Sequence, residues 1–273
     1  MAAVFAVMAI LVARVRRGER DLFAVQRALA SGDLATANPL LDRLAHGQSL
    51  VAAQAVWLRA RHLEQQANFV EALASCDRAL ATIHAQPYGI RNAAALALTP
   101  SVLGQRATVL AALGREPEAY AELATIASQH GAFAYRAVFE QRVRLVAAVR
   151  RGDRDAARAV ARERTGELPL PLRDELLADL VLATAPEGAS REEQERVDAE
   201  LRADRALAAW VDAIAPGLRD ELARRVAGGG AGPAVRVAQD AQRVQDARTG
   251  IHHHAIDEEE ADARDDAAAR TRA

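Results

Sequence analysis

One short pattern recurs four times along this chain and restricts its fold more than any other feature. A two-residue turn of glycine or alanine with a polar partner is followed at once by an alanine-rich amphipathic segment. The turns are Gly32-Asp33, Ala67-Asn68, Gly114-Arg115 and Gly152-Asp153. Behind them stand Ala37, Ala72, Ala119 and Ala157, at spacings of 35, 47 and 38 residues. After the second turn, Ala72, Cys76 and Ala79 fall at i, i+4 and i+7, so one helix face carries only small side chains. Such a face lets a neighbouring helix approach closely. The pattern therefore predicts pairs of antiparallel helices, repeated.

Composition agrees. Sixty-six residues are alanine, all 35 basic residues are arginine, and lysine is absent. A chain rich in Ala, Leu, Arg and Glu has high helix propensity. Ten aromatic residues (five Phe, three Tyr, two Trp) allow only thin cores built from Leu, Val and Ala. Thin helix-on-helix layers suit an array of stacked hairpins. The fold class expected is all-α: a right-handed solenoid of antiparallel helical hairpins, with C-terminal capping helices and a disordered tail. A net charge of −2 argues against general nucleic-acid binding. The single cysteine, Cys76, excludes an intrachain disulfide framework and a multi-cysteine metal site. Its inward position reads as a small buried hydrophobe.

The first hairpin spans Asp21 to His46, with Leu22, Val25 and Leu29 on one helix and Ala37, Leu41 and Leu44 on the other. Pro39 sits awkwardly there, and Asn38 as N-cap with Pro39 at the first helical position would accommodate it. The second, Ala53 to His84, is the cleanest: Val56, Ala60 and Leu63 face Phe69, Ala72, Cys76, Ala79 and Leu80. Pro87-Tyr88-Gly89 then interrupts the period, and Arg91 to Leu98 reads as an extra turn or inter-repeat helix. The third hairpin runs from Ser101 to His130 on Leu103, Ala107, Leu110, Leu123 and Ile126. The fourth, Phe133 to Arg164, places Gln141 and Arg164 where apolar residues belong.

On Ala60, Phe69, Ala72, Ala79 and Leu80 the second hairpin resembles a tetratricopeptide repeat, a helix pair with small residues where its helices touch. It departs from that family at Arg59, where a leucine is usual, at Cys76, where an aromatic is, and in lacking a proline directly after the second helix. The resemblance covers about half the chain, from Asp21 to Arg164. It implies binding of a peptide or protein on a helical-repeat groove. In the family's register the polar positions Gln54, Trp57, Arg61 and Glu64 face that groove, with Trp57 as anchor or as packing against the next hairpin.

Beyond the repeats, Gly166 to Pro171 breaks the array. Leu172 to Thr184 is an apolar helix, and Ser190 with Glu193 forms a capping box opening a long helix to about Ala215. Pro216-Gly217 stops it, and Leu218 to Val226 forms a last helix. The domain plan is thus 1–17 as a short membrane anchor, 18–165 as repeats, 166–227 as C-terminal helices, and 228–273 as flexible linker and acidic tail. Met1 to Ala13 is uncharged and is followed by Arg14, Arg16, Arg17 and Arg20. At ~1.5 Å per residue it is short of a bilayer's ~30 Å core. Two readings stand: a single-pass anchor with a cytoplasmic C-terminal domain, or a capping helix on a cytoplasmic repeat protein.

Nothing points to catalysis. No phosphate loop, nucleophile elbow, HExxH or cysteine pair occurs, so neither enzyme activity nor a cofactor is expected. His252-His253-His254 beside Asp257 to Glu260 reads as a solvated tail rather than a metal site. Arg136 to Arg164 holds nine arginines against four acids, whereas Glu167 to Asp204 holds eleven acids against four arginines. The basic band is either a solvated face or a docking surface for acidic peptide. Arg59, Arg106 and Arg144 share one aligned position and form a carboxylate-gripping ladder if they face a groove, or snorkel past their neighbours if they do not.

Overall fold

The computed structural model describes residues 16–29, 31, 33–47, 49–163, 169–185 and 189–227. Among them the regular structure is entirely helical. The helices are α1 (16–29), α2 (Leu34–Ala45), α3 (Leu50–Gln65), α4 (Phe69–His84), α5 (Tyr88–Ala95), α6 (Leu98–Ala112) and α7 (Glu116–Gln129). They continue as α8 (Arg136–Arg150), α9 (Arg154–Arg162), α10 (Leu172–Ala183), α11 (Arg191–Ala203), α12 (Arg205–Ile214) and α13 (Leu218–Ala227). No helix of the described residues is long and apolar enough to cross a membrane. The segment Met1 to Ala13, the glycine linker, the histidine tract and the acidic tail all lie outside them.

The four recurring turns share one backbone device. The N–H groups of Asp33, Asn68, Arg115 and Asp153 each donate to the carbonyl five residues back, on Ala28, Leu63, Leu110 and Ala148, at 2.8, 2.9, 2.8 and 3.0 Å. This bond closes a helix C-terminus when the residue before the donor adopts the left-handed region. Gly114 and Gly152 do so at φ +76° and +73°. Ala67 does the same at φ +61°, against a cost of roughly 1–2 kcal/mol for an L residue. Asp33 and Asp153 then cap the following helices, accepting from the N–H groups of Thr36 and Ala156 at 3.0 Å each.

Packing follows the small-residue seam. Ala53, Val56 and Ala60 of α3 meet Cys76, Ala79 and Ile83 of α4 in one fully buried cluster. The main core begins at Phe69 and Ala72 and continues unbroken through α6 to α13, ending on Leu218 and Leu222. Consecutive contacts run α3–α4, α4–α6, α6–α7, α6–α8, α8–α9, α9–α10 and α10–α11. Helix α6 is heavily enclosed, packed upon by α3, α4, α5, α7 and α8, and Gly104 admits the approach of α8. An ideal Cβ there would lie 2.4 Å from the Phe139 ring, so α8 lays an aromatic directly on the α6 backbone.

Three expectations are corrected. Helix α2 begins at Leu34 behind the Asp33 cap, so Pro39 lies inside it rather than at its first position. Burial of Ala37 and Leu41 on its inner face outweighs the missing backbone bond. The helix opened by the Ser190–Glu193 capping box ends at Ala203, because Asp204 adopts extended geometry and caps α12 through the Leu207 N–H at 3.0 Å. That corner turns α12 back to pack on α3 and α8. Finally, the inter-repeat helix expected over Arg91 to Leu98 is present but shifted. Helix α5 starts at Tyr88, inside the expected turn, and ends at Ala95, and this insertion accounts for the 47-residue spacing.

Candidate functional site

Four helices each send one polar side chain to the same buried point. Glu64 lies in the last turn of α3, Gln105 in the middle of α6, Arg142 in the middle of α8 and Asp174 in the first turn of α10. Gln105 Nε2 donates to Glu64 Oε2 at 2.7 Å, and Arg142 Nη2 donates to Glu64 Oε1 at 3.2 Å. Arg142 Nε donates to Asp174 Oδ2 at 2.9 Å, and its guanidinium lies 5.5 Å from the centre of the Phe139 ring. All four residues are buried. Burial alone would depress the Arg142 guanidinium, but Asp174 and Glu64 reverse this and raise it. Desolvation pushes the Asp174 carboxyl up, to about 6, against the pull of Arg142. Its Oδ1 is buried without a hydrogen-bond partner among the described residues.

Above this cluster lies a cavity of about 720 Å³. Its polar lining adds Arg61, His62, Gln65 and Gln66 from the end of α3, Arg173 from α10 and Asp204 from the α11–α12 corner. Its apolar lining comes from Leu29 and Leu34 of the first hairpin, with Ser31 between them, and from Pro171, Leu172 and Ala206. Leu172 is 75% exposed, unusual for a leucine beside a cavity. Arg173 Nη1 donates to the Gln65 carbonyl at 2.6 Å, tying α10 to the end of α3 across more than a hundred residues of sequence. His62 and Gln66 meet at 2.9 Å through their Nε2 atoms, a partner one helical turn away. Desolvation, followed by the charges of Arg173 and Arg59, lowers the His62 imidazole. Desolvation likewise lowers Arg61, with Arg142 adding to it, and lowers Arg173.

Of the groove positions expected from sequence, Arg61 and Glu64 line this cavity and Gln54 and Trp57 do not. Trp57 is half-buried between the first hairpin's core and the α3–α4 seam, with its indole N–H buried and unpaired. Arg61 lies over its ring, 5.4 Å from the centroid. Gln105, Arg142, Arg173 and Asp174 were not anticipated. The available signal was a polar residue inside an apolar helix: Gln105 among Val102, Leu103 and Ala107, and Arg142 among Phe139, Val143 and Leu145.

The arginine ladder grips carboxylates, but its own. Arg59 pairs with Asp42 of α2 at 2.7 Å, Arg106 with Asp77 of α4 and Glu122 of α7, and Arg144 with Glu163 after α9. The basic band from Arg136 to Arg164 is mostly committed in the same way. Arg136, Arg151, Arg154 and Arg158 pair with Glu140, Glu116, Glu221 and Asp155, and Arg150 donates to the Ala213 carbonyl. Arg164 lies outside the described residues. Cys76 is fully buried and burial pushes its thiol far up, so it is inert packing. Among the described residues no group of three metal-ligating side chains gathers. Comparison with models of known protein families, with curated proteins and with solved structures finds no match to this chain.

Proposed function

We propose that this chain is a non-enzymatic interaction scaffold: a right-handed, tetratricopeptide-like solenoid that binds a partner protein or peptide on its inner helices. Residues 1–13 tether it to a membrane, with the remainder on the cytoplasmic side. One observation carries the reading. Helices α3, α6, α8 and α10 meet at the buried Glu64, Gln105, Arg142 and Asp174. The recess above that point is lined by Arg61, His62 and Gln66 together with Arg173 and Asp204, so side chains far apart in sequence share one accessible face. Stacked hairpins bind partners through such composite surfaces. Arg61 stands at its edge, solvent-accessible and unbonded to any described carboxylate, next to Trp57. Arginine beside an aromatic is a common binding hot spot.

Capture from native membranes tests the scaffold, comparing wild type with Arg61→Ala and with Arg59→Ala, whose side chain is committed to Asp42. The same discrete partner should be recovered with wild type and Arg59→Ala and lost with Arg61→Ala. Equal recovery by all three contradicts the assigned surface. Detergent-free fractionation tests the tether separately: full-length chain in the soluble fraction removes the tether and leaves the scaffold standing.

A further inference from the structure

The cavity between α3 and α10 contains three carboxylates, and each is already engaged. Glu64 accepts from Gln105 and Arg142, Asp174 accepts from Arg142 through Oδ2, and Asp204 accepts from the Leu207 N–H. Two of its cations form no ion pair with a described carboxylate, although Asp204, Glu64 and Asp174 act on Arg173 and Glu64 acts on Arg61 from further off. Arg61 makes no ion pair with a described carboxylate and lies over Trp57 instead. Arg173 gives one N–H to the Gln65 carbonyl, while a guanidinium carries five donors in a planar fork suited to a carboxylate. Desolvation is the first cause lowering Arg61, His62 and Arg173; Arg142 adds to it at Arg61 and Arg173 adds to it at His62, while Asp204, Glu64 and Asp174 partly offset it at Arg173. Arg106, half-buried like Arg173, bonds instead to Asp77 and Glu122.

The apolar part of the lining adds a second requirement. Leu29, Leu34, Pro171 and Leu172 line the same cavity as those donors, and Leu172 stands largely in water. Covering it removes apolar area from solvent. The three engaged carboxylates also moderate the potential, which favours a monoanion over a doubly charged phosphate. A volume of about 720 Å³ falls within the range of roughly 300–1,000 Å³ that small-molecule sites occupy.

We propose that this cavity is a binding site for an amphipathic monocarboxylate, its headgroup held by Arg61 and Arg173 and its aliphatic body lying on Leu29, Leu34 and Leu172. The site stands independently of the scaffold reading, since it needs no protein partner. The test is calorimetric titration of the full chain with octanoate, octanamide, acetate and inorganic phosphate in turn. Octanoate should bind saturably with one site per chain, and octanamide and acetate each at least about tenfold more weakly, because one lacks the charge and the other the body. Arg173→Gln and Arg61→Gln should each weaken octanoate by about tenfold or more, while Arg59→Gln leaves it unchanged. Tryptophan emission of the wild-type chain, to which Trp57 and Trp210 both contribute, should shift on octanoate addition because Arg61 lies over Trp57, a readout that does not depend on any variant folding. Octanamide binding as tightly as octanoate overturns the proposal, as does undiminished octanoate binding by both cavity variants. Phosphate binding more tightly than octanoate also overturns it.

Discussion

Replacing Arg142 by methionine probes the buried polar point most sharply. The guanidinium bridges Glu64 at 3.2 Å and Asp174 at 2.9 Å, and all three side chains are at most 8% exposed. Methionine fills much of the volume but leaves two dehydrated carboxylates facing each other. Removing one partner of a buried ionic cluster costs about 3–5 kcal/mol. For a domain of this size each kcal/mol lowers the melting temperature by about 2–4 °C, so a drop on the order of 6–20 °C is expected by calorimetry. The loss should depend on pH, with a definite sign. Asp174 is raised from 3.8 to about 6 in the folded protein, so the fold holds that proton more tightly than the open chain. Its contribution is therefore fully present below about pH 4 and is lost as pH rises through about 6. Without Arg142 the upper limit moves higher, and the variant should lose less at about pH 5 than at about pH 8. Adding Glu64→Gln and Asp174→Asn should recover most of the loss at the higher pH. An equal drop at both pH values, together with no recovery in the triple variant, would refute the electrostatic reasoning.

Gly104→Ala offers a contest between two opposing effects. Helix propensity favours alanine by about 1 kcal/mol, but its Cβ would meet the Phe139 ring at 2.4 Å. Overpacking of this kind costs about 1–3 kcal/mol, so denaturant unfolding should show a net loss, relieved by a second change of Phe139→Leu. Ala67→Gly should act oppositely and raise the unfolding free energy by up to about 1 kcal/mol, because Ala67 sits at φ +61° where Gly114 and Gly152 stand in the matching turns. A fall in stability would mean that the turn is not left-handed at that residue. Cys76 should resist thiol reagents in the native chain and react fully once unfolded, since it is buried and its thiol is raised by burial. Rapid native labelling would contradict its place in the α3–α4 seam.

Much of the architecture was legible because it rests on local signals. The four turns announced themselves through glycine or alanine with a polar partner, and the structure gives all four the same backbone bond. The seam was visible because Ala72, Cys76 and Ala79 recur at helical spacing. What escaped was set by contacts distant in sequence. Nothing near Arg142 indicates that its acids are Glu64, 78 residues earlier, and Asp174, 32 residues later. The basic band looked free because its partners, such as Glu116 and Glu221, lie outside it. Asp204 was hidden differently: a good cap residue within a strongly helical run, it breaks the helix only because α12 gains a packing surface on α3 and α8.

The cavity exists only if α10 docks against the end of α3, and dipolar spin-label spectroscopy tests that contact most directly. Gln66 and Leu172 both line the cavity and are exposed, so each accepts a labelled cysteine while buried Cys76 stays unlabelled. The doubly labelled full chain, Gln66→Cys with Leu172→Cys, should show strong dipolar broadening that neither single variant shows. A spectrum equal to the sum of the two singly labelled chains would place α10 away from α3 and remove the site.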